Sequence, residues 1–324
     1  MPVYERIGTV VFYRLRKWYV DTVSAQGDYL FSYLSELVLF GIRRCQLTFI
    51  LTSSGGSPRI FNFPLRGPLR YSGAAAAEFH MGELHFRITR EGLEVRAEEG
   101  GCRLSCRSSA NFEVPLPELR LIIRGAGRSS ISWFPLGIRI PVRAAVRLPG
   151  RTLQLQSSPG YADFLESALF PLIVPLRRLF WGRLHAGEMN LVYTVYQARS
   201  GEQRGKVLVQ VNHRLFVFNR VCLQSRDWSV SPDLKMRYPK RVVLFAWGKG
   251  NSLELDVRHT RITMESDFVS DSGASRIERI GVRFLSRNLR SIKFFATADI
   301  KFMAAGHRVV LKRRFLIAEF VRLS

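Results

Sequence analysis

Cysteine is scarce. Cys45, Cys102, Cys106 and Cys222 are the only four in 324 residues, too few for a disulfide framework in a chain of this size, so the fold must rest on its apolar core. Cys102 and Cys106 would point the same way from one extended strand yet sit roughly 13 Å apart, beyond disulfide or shared-metal reach. The six histidines, His80, His85, His185, His213, His259 and His307, fall at no spacing that zinc sites use. Neither a metal nor an organic cofactor is expected. No apolar run approaches the roughly 20 residues that span a bilayer; Leu169 to Leu176, among the longest, is interrupted by Pro171 and Pro175. Near the N-terminus Arg14, Arg16 and Lys17 follow the apolar residues instead of preceding them, the reverse of a secretory signal, and the expected location is cytoplasmic.

Acidic residues are also few, 26 against 49 basic ones, for a net charge of +23. The excess is spread through both halves, with 20 basic against 12 acidic residues in positions 1–150 and 29 against 14 in the remainder. Such a field attracts nucleic acid or the anionic face of a membrane, and it is equally a solvated, arginine-rich strand surface. No helix-turn-helix, zinc-finger or RNA-recognition pattern accompanies it, so sequence-specific nucleic-acid binding is not expected. Peripheral contact with an anionic membrane stays open.

Helical periodicity is rare, and period-two alternation runs through most of the chain. Strands are expected at Val10–Leu15, Trp18–Val23, Tyr29–Phe40, Cys45–Leu51, Leu84–Thr89, Leu93–Ala97 and Ile138–Leu148, then at Thr152–Ser157, Phe180–His185, Met189–Ala198, Val207–Val211, Leu215–Leu223, Val242–Trp247, Ser252–Val257, Arg261–Glu265, Ile292–Phe302 and His307–Val321. Turn residues punctuate them, most clearly Gly248-Lys249-Gly250-Asn251. With 47% hydrophobic and 12% aromatic residues the chain can fill one large or two ordinary cores. Many short strands and tight turns point to barrels or sandwiches rather than to an α/β enzyme.

An internal echo favours two units. Lys17-Trp18-Tyr19-Val20-Asp21 leads through Ala25-Gln26-Gly27 into Tyr29–Leu34, and Trp181 leads through Ala186-Gly187 into Leu191–Tyr196. A tryptophan, a turn with Ala and Gly, then an aromatic strand at a similar offset reads as a duplication. The expected units are residues 1–150 and 151–324, joined near Pro149-Gly150.

The order Ile140-Pro141-Val142, Gly150-Arg151-Thr152-Leu153, Gly160-Tyr161-Ala162-Asp163, Phe180-Trp181-Gly182-Arg183 and Val192-Tyr193-Thr194 resembles the carotenoid 1,2-hydratase, or hydroxyneurosporene synthase, family. The resemblance implies an all-β fold of two lipocalin-like antiparallel β-barrels in tandem, with the signature where they pack together. Active members of that family carry Gly-Tyr-His-Asp-His-Asn-Trp. Here Gly160, Tyr161 and Asp163 match, while Ala162 and Phe164 stand at the two histidine positions and Leu165 at the asparagine.

Adding water to an isolated isoprenoid double bond needs a carboxylic acid that stays protonated, aromatic faces for the carbocation and one placed water, without a cofactor. A carboxyl in an apolar setting has the raised pKa this requires, and aromatic faces attract a cation by about 0.5–2 kcal/mol each. Asp163 and Glu166 are the candidate acids, on one face if Ala162–Phe170 is a short helix. His185 is a candidate polar partner, and Tyr161, Phe164, Trp181, Tyr193 and Trp18 are candidates for the ligand wall. Each has a structural alternative: Asp163 as a helix cap, Glu166 as a solvated residue, the aromatics as core, His185 as a turn residue. Three functions follow. The chain binds a long apolar ligand, isoprenoid or lipid, in a barrel cavity and hydrates or cyclises it; or it shelters such a ligand without catalysis, as lipocalins do; or, more remotely, it binds anionic lipid or nucleic acid.

Overall fold

The computed structural model describes residues 13–24, 27–52, 56, 58–66, 69–71, 76–99, 101–109, 117–125, 129–169, 176–267, 289–304 and 307–323. The expected strand start at residues 10–12, Ala25-Gln26 of the internal echo and Phe170 lie outside them. Strands dominate: β1 (Tyr13–Val23), β2 (Tyr29–Leu39), β3 (Ile42–Thr52), β4 (Arg59–Leu65), β5 (Arg70–Tyr71), β6 (Ala77–Met81), β7 (Leu84–Thr89), β8 (Gly92–Glu99), β9 (Cys102–Ser108), β10 (Leu121–Arg124), β11 (Ser130–Leu148) and β12 (Arg151–Ser167) form one antiparallel sheet. A second contains β13 (Leu176–Ala186), β14 (Met189–Ala198), β15 (Gln203–Val211), β16 (Arg214–Phe218), β17 (Arg220–Val230), β18 (Arg237–Gly248), β19 (Asn251–Asp267), β20 (Arg290–Ala304) and β21 (His307–Arg322).

The two sheets share a plan. In each, the first strand lies between the second and the last: β1 pairs with β2 and β12, and β13 pairs with β14 and β21. Both sheets curl. In the first, Tyr71 of β5 returns to β1, where its ring lies 6.0 Å from that of Trp18 and its hydroxyl meets Arg16. In the second, Gln203 of β15 spans to β17, donating to the Leu223 carbonyl at 2.8 Å and accepting from the Leu223 amide at 2.7 Å. One side chain thus completes the backbone pairing that the sheet ends do not make.

Strand alternation sorts the apolar residues into three clusters. Trp18, Val20, Leu34, Phe49, Phe79 and Phe164 belong to the core enclosed by the first sheet, and Phe180, Tyr193, Val209, Leu244, Phe294 and Phe320 to that of the second. The opposite faces of the same strands pack together: Tyr19, Tyr29, Phe31, Trp133 and Tyr161 meet Trp181, Tyr196, Leu208, Phe295 and Ile317. Strands buried on both faces hide the alternation that marks a half-buried strand.

Several sequence expectations are corrected. Residue 150 sits in the β11–β12 hairpin, and sheet membership changes between Ser167 and Leu176. Ala162–Phe170 is not a helix, because residues 162–167 pair with β1 on one side and β11 on the other. Leu215–Leu223 is two strands, parted at Asn219, and the two segments expected between Ser252 and Glu265 are one strand, β19, with irregular pairing near His259 and Ile262.

Candidate active site

β1 and β13, the equivalent first strands, carry polar side chains at alternate positions on their mutually facing sides: Lys17, Tyr19 and Asp21 on one, Trp181, Arg183 and His185 on the other. On the opposite, core-facing sides of the two sheets, two positions are crowded. A Cβ on Gly160 would come within 2.3 Å of a Val142 methyl and 2.7 Å of the Asp21 carbonyl oxygen, and one on Gly182 within 2.6 Å of the Tyr193 ring, so only glycine fits at either place.

Asp21 and Arg183 join the two sheets. The guanidinium reaches both carboxylate oxygens, Nη2 to Oδ1 at 2.6 Å and Nε to Oδ2 at 2.8 Å, with both side chains buried. Tyr19 and Tyr29 donate to Oδ2 at 2.8 and 3.3 Å, their own hydroxyls 2.7 Å apart. Burial works against the charge on Arg183, but the Asp21 carboxylate outweighs it and keeps the guanidinium charged.

Asp163 lies on β12 opposite Tyr19. The Trp133 indole N–H and the Tyr161 hydroxyl both donate to its Oδ2 at 2.9 Å. Burial nevertheless pushes its pKa up to about 7, against the pull of those two donors and of Lys17. Around it, Trp181 lies 5.6 Å from Tyr161 and 5.8 Å from Tyr19, ring centre to ring centre.

Beside this pair lie two lysines and a glutamate. Lys293 of β20 contacts Glu319 of β21 at 2.5 Å and stands 4.9–5.7 Å from the ring centres of Phe31, Tyr19 and Trp181. Burial alone would raise Glu319, but Lys293 and Lys17 hold it below the usual carboxylate range. Lys17 stands 3.9 Å over the Tyr33 ring.

Of the residues singled out in the sequence, Asp163, Tyr161 and Trp181 meet here. Glu166 does not: on a strand, residues three apart point to opposite faces, and Glu166 pairs with Arg16 at 2.8 Å on the inner side of the first sheet, where Arg16 also reaches Glu36. Asp163 is not a helix cap, since there is no helix for it to cap. Phe164 and Trp18 pack on each other inside the first sheet, 5.0 Å apart, and Tyr193 lies inside the second. The Trp18–Trp181 echo therefore joins equivalent strands but opposite faces. His185 shares the Arg183 face, bonded through Nδ1 to Asn190 at 2.9 Å; burial and Arg183 push its pKa down to about 3, so it stays neutral. Positions 162 and 164 face the first core, away from Asp163.

Lys17, Tyr19, Asp21, Tyr29, Trp133, Arg183, Lys293 and Glu319 were not singled out. Their signal was present in Lys17-Trp18-Tyr19-Val20-Asp21, where polar residues alternate with apolar ones in a strand that is also followed by an aromatic partner strand.

No protein-family model matches the chain, and no curated protein sequence matches it. Solved structures do. CghA, crystallised with Sch210972, aligns with a TM-score of 0.67 at 11% identity over 96% of this chain and 89% of that one. A provisionally assigned AttH from Nitrosomonas europaea aligns at 0.63 and 12% over 99% and 96%, and kievitone hydratase from Nectria haematococca at 0.57 and 8% over 95% and 88%. At these identities the likeness shows the fold: all-β, two lipocalin-like antiparallel units in tandem.

Proposed function

We propose that this chain binds an apolar, alkene-bearing small molecule, isoprenoid in the reading that the signature favours, between its two sheets, and that Asp163 is the acid that protonates the double bond. The observation that carries this is a buried carboxyl poised near neutrality, held by an indole and a phenol among aromatic rings. Its proton would pass to the less substituted alkene carbon, leaving a carbocation beside the faces of Tyr19, Tyr161 and Trp181. Water then adds, and the proton it sheds returns to the Asp163 carboxylate. In a cyclisation a second double bond of the same molecule attacks instead, and the new carbocation loses a carbon-bound proton to the Asp163 carboxylate, forming a double bond and restoring the acid. The names of two structural neighbours, a hydratase and a protein solved with a bound small molecule, support the reading.

The site lies between the sheets rather than in either barrel, so the proposed ligand would touch residues of both. The test is incubation with acyclic carotenoids and shorter isoprenoid alkenes in oxygen-labelled water, followed by mass spectrometry, alongside organic extraction of the purified protein. Label in a product from the wild type, lost in D163N, is expected. Product formation unchanged in D163N would overturn the assignment of the acid. An extract that holds an apolar molecule never converted would favour binding without catalysis.

A further inference from the structure

The charges of this site do not balance once Asp163 holds its proton. Among the described residues Lys17, Lys293 and Arg183 face Asp21 and Glu319, three cations against two anions. Arg183 is matched by Asp21 and Lys293 by Glu319, each in direct contact. Lys17 is the one left over among them: its ammonium sits over the Tyr33 ring, and burial lowers its pKa, opposed only across space by Glu319 and Asp163. A half-buried charge without a counter-ion gives up part of its hydration, and a ring face offsets only some of that cost.

Its position also differs from that of the two matched cations. Arg183 and Lys293 are buried, whereas Lys17 remains partly accessible, as do Tyr33, Leu165 and Glu319 beside it. Lys17 pairs directly with Leu165 across the β1–β12 ladder, and Tyr19, the next residue on that face, pairs with Asp163. The unmatched cation therefore stands one ladder step, roughly 7 Å, from the proposed acid, on the side that opens toward solvent.

We propose that Lys17 anchors an anionic oxygen of the ligand, a carboxylate or an acidic enol, so that the substrate class is an unsaturated amphipath with its double bond near its acidic end. This rests on the reading of Asp163 as the acid and extends it. An anion at Lys17 completes the charge balance only while Asp163 is neutral, and its field disfavours ionisation of Asp163. Ligand binding would thus keep the catalytic proton in place.

The test uses two probes of one chain length, farnesoic acid and farnesol, titrated into the full-length protein by tryptophan fluorescence. The wild type is expected to bind the acid at least tenfold more tightly than the alcohol, K17M to lose that preference while keeping its affinity for the alcohol, and K17R to retain it. D163N should bind both at least as well as the wild type, which separates anchoring from proton transfer. Equal affinity of the wild type for acid and alcohol, or an undiminished preference in K17M, would overturn the anchor and leave the acid assignment standing. Binding of neither probe would overturn the ligand-binding reading itself, and with it the anchor. Should K17M fail to fold, the wild-type comparison of acid with alcohol decides alone.

Discussion

At Asp163 two requirements meet: the carboxyl must be near enough to neutrality to hold a proton, and it must be held in one orientation. Desolvation supplies the first and the Trp133 and Tyr161 donors the second. A folded pKa of about 7, against 3.8 for the free group, means that the folded protein holds this proton more tightly than the unfolded chain. The stability that this contributes is fully present below about pH 4 and is lost as pH rises through about 7. The raised value corresponds to on the order of 4 kcal/mol at most. D163N keeps the shape and the acceptor oxygen without a charge to desolvate, so thermal melts should show it gaining on the wild type as pH goes from 5 to 8. Activity should follow the protonated form, with kcat/KM of the wild type falling above about pH 7. A rate that rises through that range would exclude Asp163 as the acid.

At the level of strands, β12 shows how far the sequence could be read. Its residues 161–167 mix helix formers with polar groups three apart, and no alternation shows because both faces are buried: Ala162 and Phe164 in the first core, Tyr161 and Asp163 between the sheets. The all-β class, most strands and the 248–251 hairpin were legible because period two survives where one face meets water. The contact between sheets was not, since it depends on which outward faces meet. The Asp21–Arg183 link should reveal itself in a mutant cycle. R183M leaves a buried carboxylate unpaired and should cost roughly 3–5 kcal/mol in urea denaturation, whereas the D21L/R183M double variant should recover much of that. Gly160 is a second test. An added methyl must displace Val142 or the β1 backbone at Asp21, so G160A should lose about 1–3 kcal/mol by overpacking.

For the whole molecule, the two sheets are coupled by more than the ion pair. Lys206 of β15 donates to the backbone carbonyls of Glu118 and of Arg120, the latter at 2.9 Å, and Arg139 donates to that of Gly187 at 3.1 Å. Separating them would expose Tyr29, Phe31, Trp181 and Tyr196 along with the unpaired ions. Residues 1–169 and 170–324 produced apart should therefore aggregate or bind a hydrophobic dye, and produced together they should recover a soluble complex. Two independently soluble, dye-silent halves would contradict this. Among the described residues no helix is long and apolar enough to cross a membrane.

The Gln203 bridge has a kinetic corollary. Where most strands of the second unit are zipped by successive backbone bonds, the seam between β15 and β17 is held at Leu223 by an amide side chain, which can rotate away without unravelling a ladder. The seam should therefore be the place where this unit opens locally, well below its global unfolding free energy. In native-state deuterium exchange the Leu223 amide should become labelled long before those of Leu191 or Ile317, and Gln203→Ala should hasten labelling there while leaving the central strands β13 and β21 as slow as before.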